Sequence, residues 1–194
     1  EKKKAELALY KAQINPHFLF NTLNTLYGMI VMKSQQVETA FMQFICLMKY
    51  MYTNPTKEAI PVEEEIDYIR QYIEIQKYRT ENKDSIQLSY YNDNKRQGLQ
   101  IVPMLLITFV ENAIKYGLSS TDDRQVYIVI RIEDGTLFFS TQNQKPTDRR
   151  SHSAGIGISN CRKRLELAYP KRHKLEINDA DGLYTVLLSI TLIN

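Results

Sequence analysis

The sequence predicts an α+β protein: a helical hairpin over residues 1–60, followed over residues 61–194 by a two-layer sandwich of helices on a mixed, largely antiparallel sheet. Three observations predict it. Apolar residues recur at helical spacing near the start, as in Leu19, Leu23, Leu26 and Ile30. After Pro61 short β-type stretches take over in part, as where Ile86, Leu88 and Tyr90 alternate. Asp134-Gly135 and Asp181-Gly182 then supply turn signals between pairs of such stretches.

Each element has its own reason. Residues 5–32 read as one long helix, in which Pro16 lacks a backbone donor and clashes with the carbonyl four residues back, so the turn around Ala12 and Gln13 is expected to be distorted. Lys33-Ser34-Gln35-Gln36 breaks it. A second helix carries Phe41, Phe44, Ile45, Met48 and Met51 on one face and stops before Asn54-Pro55. One such hairpin has too little partner surface to stand alone. Two, from two chains, make a four-helix bundle, so a homodimer is expected.

Val62-Glu63-Glu64-Glu65 opens a third helix, since acids suit the positive end of the helix dipole. Ile66, Ile69, Tyr72, Ile73 and Gln76 run along its face. Pro103 opens a helix reaching Tyr116, with Gly117 at a C-cap position. Val126 to Ile132 and Leu137 to Phe139 form a hairpin around Asp134-Gly135. A polar loop is expected from Gln142 to Ala154, a helix from about Ile158 to Tyr169, and final strands over Lys174–Ile177 and Tyr184–Leu192.

The composition, 43% hydrophobic and 24% charged over 194 residues, is that of a soluble globular chain. A net charge of +3, with basic residues mixed among acids, gives no footing for direct nucleic-acid binding. Cys46 and Cys161 lack metal-ligand spacing and read as reduced and structural. No apolar run approaches the roughly 20 residues that span a bilayer. The chain begins at Glu1 without methionine and reads as a piece of something longer. Glu1-Lys2-Lys3-Lys4 fits a segment just inside a membrane, and equally a solvated helix start.

Three segments can carry chemistry. Gln13-Ile14-Asn15-Pro16-His17-Phe18-Leu19-Phe20-Asn21 puts one histidine on an apolar helical pattern, either as a satisfied core residue or as a nucleophile. On the helix Phe109 to Gly117, Glu111 and Lys115 lie one turn apart with Asn112 beside them. That edge can orient a nucleophile, ligate a hard cation and touch a phosphate, or it is a solvated ion pair. Gly155-Ile156-Gly157 before a helix lets backbone amides approach an anion, or is a flexible loop with a helix cap.

Taken in order, the three resemble a known family. The run around His17 resembles the phosphoacceptor box of sensor histidine kinases of the LytS/YehU type. Val110-Glu111-Asn112-Ala113-Ile114-Lys115-Tyr116-Gly117 is similar to their N box, and Gly155-Ile156-Gly157-Ile158-Ser159-Asn160 to their second glycine box. The resemblance implies a dimerisation and phosphotransfer hairpin (1–60) and a Bergerat-type (GHKL) ATP-binding domain (61–194). It implies that His17 takes the γ-phosphoryl group of ATP, Glu111 orients or deprotonates the imidazole, Asn112 ligates Mg²⁺ and Lys115 contacts phosphate. Gly155 and Gly157 would hinge a lid over the nucleotide. The phosphoryl group would pass to an aspartate of a response regulator, in this family a DNA-binding transcription factor. The chain would be the cytoplasmic portion of a protein anchored in the bacterial inner membrane by an upstream sensor region.

Phe18 stands where many histidine kinases have an acid, which leaves Glu111 to activate the histidine when the domains dock. Asn21, one turn after His17, is proposed to position water for dephosphorylating the partner's aspartyl phosphate. The family's first glycine box has an Asp that accepts from the adenine amino group. Asn143 stands in that place here, and Lys145 stands where the first glycine is expected. Loss of a charge-assisted bond weakens binding by roughly ten- to thirtyfold, so weak ATP affinity is expected. The alternative is a degenerate kinase acting as a dimeric signalling scaffold or as a response-regulator phosphatase.

Overall fold

The computed structural model describes residues 16–80, 82–93, 98–118, 125–145 and 155–192. Helix α1 (Pro16–Val31) and helix α2 (Val37–Thr53) form the hairpin. The distortion expected around Ala12 and Gln13 lies outside the described residues.

Strand β1 (Ile60–Pro61) leads into α3 (Val62–Lys77) and pairs antiparallel with β3 (Gln100–Ile101), a small ribbon the apolar periodicity did not signal. The main sheet has β2 (Ile86–Asn92), β4 (Val126–Glu133), β5 (Thr136–Gln144), β6 (His173–Ala180) and β7 (Leu183–Thr191) in the order β2-β4-β5-β7-β6. Among the described strands only β2 and β4 pair in parallel, and the connection between them carries α4 (Ile107–Gly117), as parallel pairing requires. Helix α5 (Gly155–Ala168) precedes β6. The chain is thus α+β with a mixed sheet.

One face of the sheet is buried beneath α3, α4 and α5. Val126, Ile128, Ile130 and Ile132 of β4 and Leu137 and Phe139 of β5 alternate inward, while Tyr127, Val129 and Phe138 remain exposed on the other face. The hairpin joins the same core: Phe18, Leu47, Tyr50 and Met51 are buried with the sandwich residues.

Three expectations need correction. The helix expected to begin at Pro103 begins at Ile107, because residues 103–106 form an irregular turn with Met104 at φ +57°. Gly117 is the last helical residue and has no left-handed φ, and Leu118 is the C-cap. Its glycine is required by close approach, since a Cβ there would lie 2.5 Å from Asn143 Cβ and 2.7 Å from Val126 Cγ2. Strand β5 extends through Gln144, so Gln142 and Asn143 are strand residues and not part of a loop.

Candidate functional site

His17 is a residue of α1, and its side chain is outside the described residues. Its neighbour Phe18 is buried, with its ring 4.9 Å from that of Tyr72 on α3. Tyr50 of α2 stacks on Tyr68 of α3 at 4.2 Å. Two aromatic pairs therefore seat the hairpin on α3, each adding to plain area burial. Asn21 is half-buried, and its carbonyl accepts the Thr25 hydroxyl at 2.9 Å.

Across α3 lies the edge of α4. Burial raises the Glu111 carboxyl to about 7, against a downward pull from the Lys115 ammonium. The same carboxylate, together with burial, pushes the Tyr68 and Tyr72 phenols up. Glu111 thus shares its surroundings with the tyrosine that carries Phe18. Lys115 is exposed, its ammonium 4.9 Å from the centroid of the Tyr116 ring.

The inner layer between α4, α5 and β5 holds orphaned polar atoms. Asn143 is buried; its Nδ2 donates to the Gln144 carbonyl at 3.0 Å, while its Oδ1 has no partner. Thr141 Oγ1 and Asn112 Nδ2 are also buried and unpartnered. A native fold leaves such groups unpaired at a cost, and a ligand is one means of satisfying them. An acceptor on β5 and a donor on α4 fit a polar ring and a phosphate better than an apolar ligand.

Gly155 and Gly157 are residues of α5 (Gly155–Ala168), whereas the sequence places the start of that helix at about Ile158. A Cβ on Gly157 would meet Thr108 Cγ2 at 3.5 Å and Asn112 Nδ2 at 4.0 Å, so α5 starts directly over the N-box amide. Lys145 is ion-paired with Asp179 of β6, and its backbone N–H donates to the Gly182 carbonyl at 2.8 Å. The structure thus brings Asn112 and Gly157 together, places Glu111 near Tyr68 and Tyr72 of α3, and sets Asn143 against the C-terminal end of α4.

Sequence reasoning missed Glu65. It was read as one of three acids at a helix start, yet it is fully buried. Its carboxylate accepts the N–H of Met104 at 2.8 Å and of Leu106 at 3.0 Å, and the Tyr50 hydroxyl donates to it. The signal was present: Glu65 precedes Ile69 by four positions and Tyr72 by seven, on the apolar face.

Known proteins resemble this chain in both sequence and fold. Residues 5–84 match the family model described as Histidine kinase. The chain is 28% identical to Sensor histidine kinase YesM of Bacillus subtilis, over 91% of its length and 31% of the relative's. It is 26% identical to Sensor protein LytS of Oceanobacillus iheyensis (92% and 33%) and 27% identical to Sensor histidine kinase BtsS of Escherichia coli (94% and 32%). The chain is similar over most of its length to sensor histidine kinases of the LytS, YesM and BtsS kind, and spans about a third of the length of these relatives. Among solved structures, the catalytic domain of histidine kinase ThkA is similar at a TM-score of 0.49 and 18% identity, covering 69% of this chain and 93% of that one. Acinetobacter baumannii histidine kinase AdeS is similar at 0.47 and 8% identity, covering 100% and 98%. No helix among the described residues is long and apolar enough to cross a membrane.

Proposed function

We propose that this chain is the phosphotransfer and ATP-binding part of a two-component sensor histidine kinase, with residues 1–60 as the phosphoacceptor hairpin and 61–194 as the catalytic domain. One observation carries the reading: the residue beside His17 packs on Tyr72, and Tyr72 shares its surroundings with Glu111, a carboxyl buried enough to titrate at about 7. A general base works best when its pKa lies near the operating pH.

The unprotonated nitrogen of the His17 imidazole attacks the γ-phosphorus of ATP. A P–N bond forms, the bond from that phosphorus to the β–γ bridging oxygen breaks, and ADP leaves with the electron pair. The proton on the opposite ring nitrogen passes to the Glu111 carboxylate. Transfer of this kind needs positioning and charge neutralisation more than covalent help. Asn143 Oδ1 would accept from the adenine amino group, and Lys115 and the first turn of α5 at Gly155 and Gly157 would face the phosphates. Mg²⁺, held by the Asn112 amide oxygen, phosphate oxygens and water, would neutralise phosphate charge. Among the described residues no cluster of three or more His, Cys, Asp or Glu offers a protein cage, and Mg²⁺ commonly does without one.

The phosphoryl group would then pass to an aspartate of a response regulator, a DNA-binding transcription factor, with Asn21 aligning water for the reverse hydrolysis. A homodimer is supported by the outer face of the hairpin. Phe20 (68% exposed), Leu23, Tyr27 (69%) and Ile30 (57%) follow one another at spacings of three and four on α1, beside exposed Phe41 and Ile45 on α2. In the whole protein a membrane-embedded sensor region would supply the stimulus and hold this part at the inner face of the membrane.

The neutral Asn143 favours a second reading, in which weak nucleotide binding leaves a dimeric scaffold or phosphatase. Incubation with γ-labelled ATP separates the two. Acid-labile label that His17→Gln abolishes supports the kinase; no label at any ATP concentration supports the scaffold.

A further inference from the structure

The connection that leads into α4 is held by α3, by α5 and by the residue that follows α5. Val102 N–H donates to the Tyr169 hydroxyl at 2.9 Å. Glu65 of α3 accepts the N–H groups of Met104 and Leu106. Arg164 of α5 donates to the carbonyls of Met104 at 3.2 Å and Pro103 at 2.7 Å. Met104 is thus gripped on both sides of its Cα, N–H by a carboxylate and C=O by a guanidinium. It sits at φ +57°, a conformation that L residues other than Asn and Asp seldom adopt. Both oxygens of Glu65 are used, and the oxygen that takes Met104 N–H also takes the Tyr50 hydroxyl of the hairpin.

Such a strained residue persists only where its surroundings over-determine it. Glu65 lies at the N-terminal end of α4, where orphan N–H groups need acceptors and negative charge is favoured. The first turn of α4 is therefore placed by side chains from α3 and α5, and its second turn carries Glu111 and Asn112. Glu65 is fully buried, and the groups that meet it are Tyr50, two backbone amides and the field of Arg164.

We propose that Glu65 and Arg164 are positioning residues that clamp Met104 in its left-handed conformation and so set the placement of α4, and that the Tyr50 hydroxyl ties this placement to the seating of the hairpin. Movement of α2 relative to α3 then reaches Glu111 and Asn112 through a hydrogen-bonded chain, Tyr50 to Glu65 to Met104 and Leu106. The chemistry of this inference rests on the histidine kinase reading; its geometry does not.

Two conservative variants of the full chain test it, Tyr50→Phe and Arg164→Lys. Amide hydrogen exchange reads the clamp, and single-turnover autophosphorylation at saturating ATP reads its use. Loss of a hydrogen bond to a charged group corresponds to about tenfold. In both variants the Met104 and Leu106 amides should exchange about tenfold faster while Phe139 in β5 keeps its protection. In Tyr50→Phe the maximal rate should fall by a similar factor with nucleotide affinity unchanged. Unaltered exchange at Met104 and Leu106 in both variants overturns the clamp, and so does a loss of protection that extends equally to Phe139. An unaltered maximal rate in Tyr50→Phe overturns the link to the hairpin. If the native chain takes no label, the kinase reading fails while the exchange result still decides the clamp.

Discussion

The rings of Phe18 and Tyr72 lie 4.9 Å apart with their planes inclined at 31°. This contact joins the helix that contains His17 to the helix that also borders Glu111. Phe18 occupies the place where an acidic neighbour of the histidine would be expected, and it is buried. An acid could not sit there without being desolvated against a tyrosine. The packing explains the sequence departure: the residue after His17 anchors the helix it sits on, and in the proposed function the carboxylate comes from α4.

Glu111→Gln tests that division of labour by pH. The folded carboxyl holds its proton up to about 7, whereas the ordinary value for a free glutamate is 4.5. Between those values the folded state binds more protons than the unfolded one, so stability falls as pH rises through this window, and the full cost is present above about 7. Glutamine carries no such cost. The variant should gain stability relative to the native chain at pH 8 compared with pH 5, by on the order of 2 kcal/mol in denaturant titrations. Autophosphorylation should drop at least tenfold and lose its rise through pH 7. Equal rates in the two proteins would remove Glu111 from the mechanism.

Gly117→Ala should destabilise the fold by roughly 1 to 3 kcal/mol, because its methyl would press on Asn143 and Val126 and force α4 off the sheet. The urea midpoint should fall with the slope unchanged. A midpoint within error of the native one would show that the contact yields freely.

Asn143→Ala separates binding from folding. The Oδ1 atom has no partner within the chain, so its removal should shift the melting temperature little. Nucleotide affinity should weaken by about tenfold in calorimetry, from a native value already weaker than micromolar. Native binding at micromolar affinity or tighter would contradict the account of the missing acid.

The outer seam of the hairpin predicts its own assay. Leu23→Asp combined with Ile30→Asp places charges on exposed positions, so the chain should stay folded by circular dichroism and sediment as a monomer. A double variant still sedimenting as a dimer would place the dimer contact elsewhere.

The elements with strong periodicity or turn chemistry were legible in the sequence. Asp134 and Asp181 both adopt positive φ at the turns their Asp-Gly pairs announced, at 48° and 54°. Burial of Leu26 but exposure of Leu23 and Ile30 was not legible, because periodicity marks an apolar stripe without saying which of its residues meets the core. Glu65 was hidden for a related reason. A glutamate in a first helical turn looks solvated until the chain brings two amides and a tyrosine to it from residues 15 to 41 positions away. Gly117 was read as a cap because proximity to Asn143 is a tertiary fact. Asn143 was read as lying in a loop after a strand ending near Ser140; it is a residue of β5, and its side-chain oxygen is buried and unpaired.

The most direct test of the central claim is incubation of the chain with γ-labelled ATP and Mg²⁺, alongside His17→Gln. The account predicts label on the native chain that is stable to base, lost in acid and absent from the variant. Equal labelling of both proteins, or none on the native chain at millimolar ATP, would contradict it.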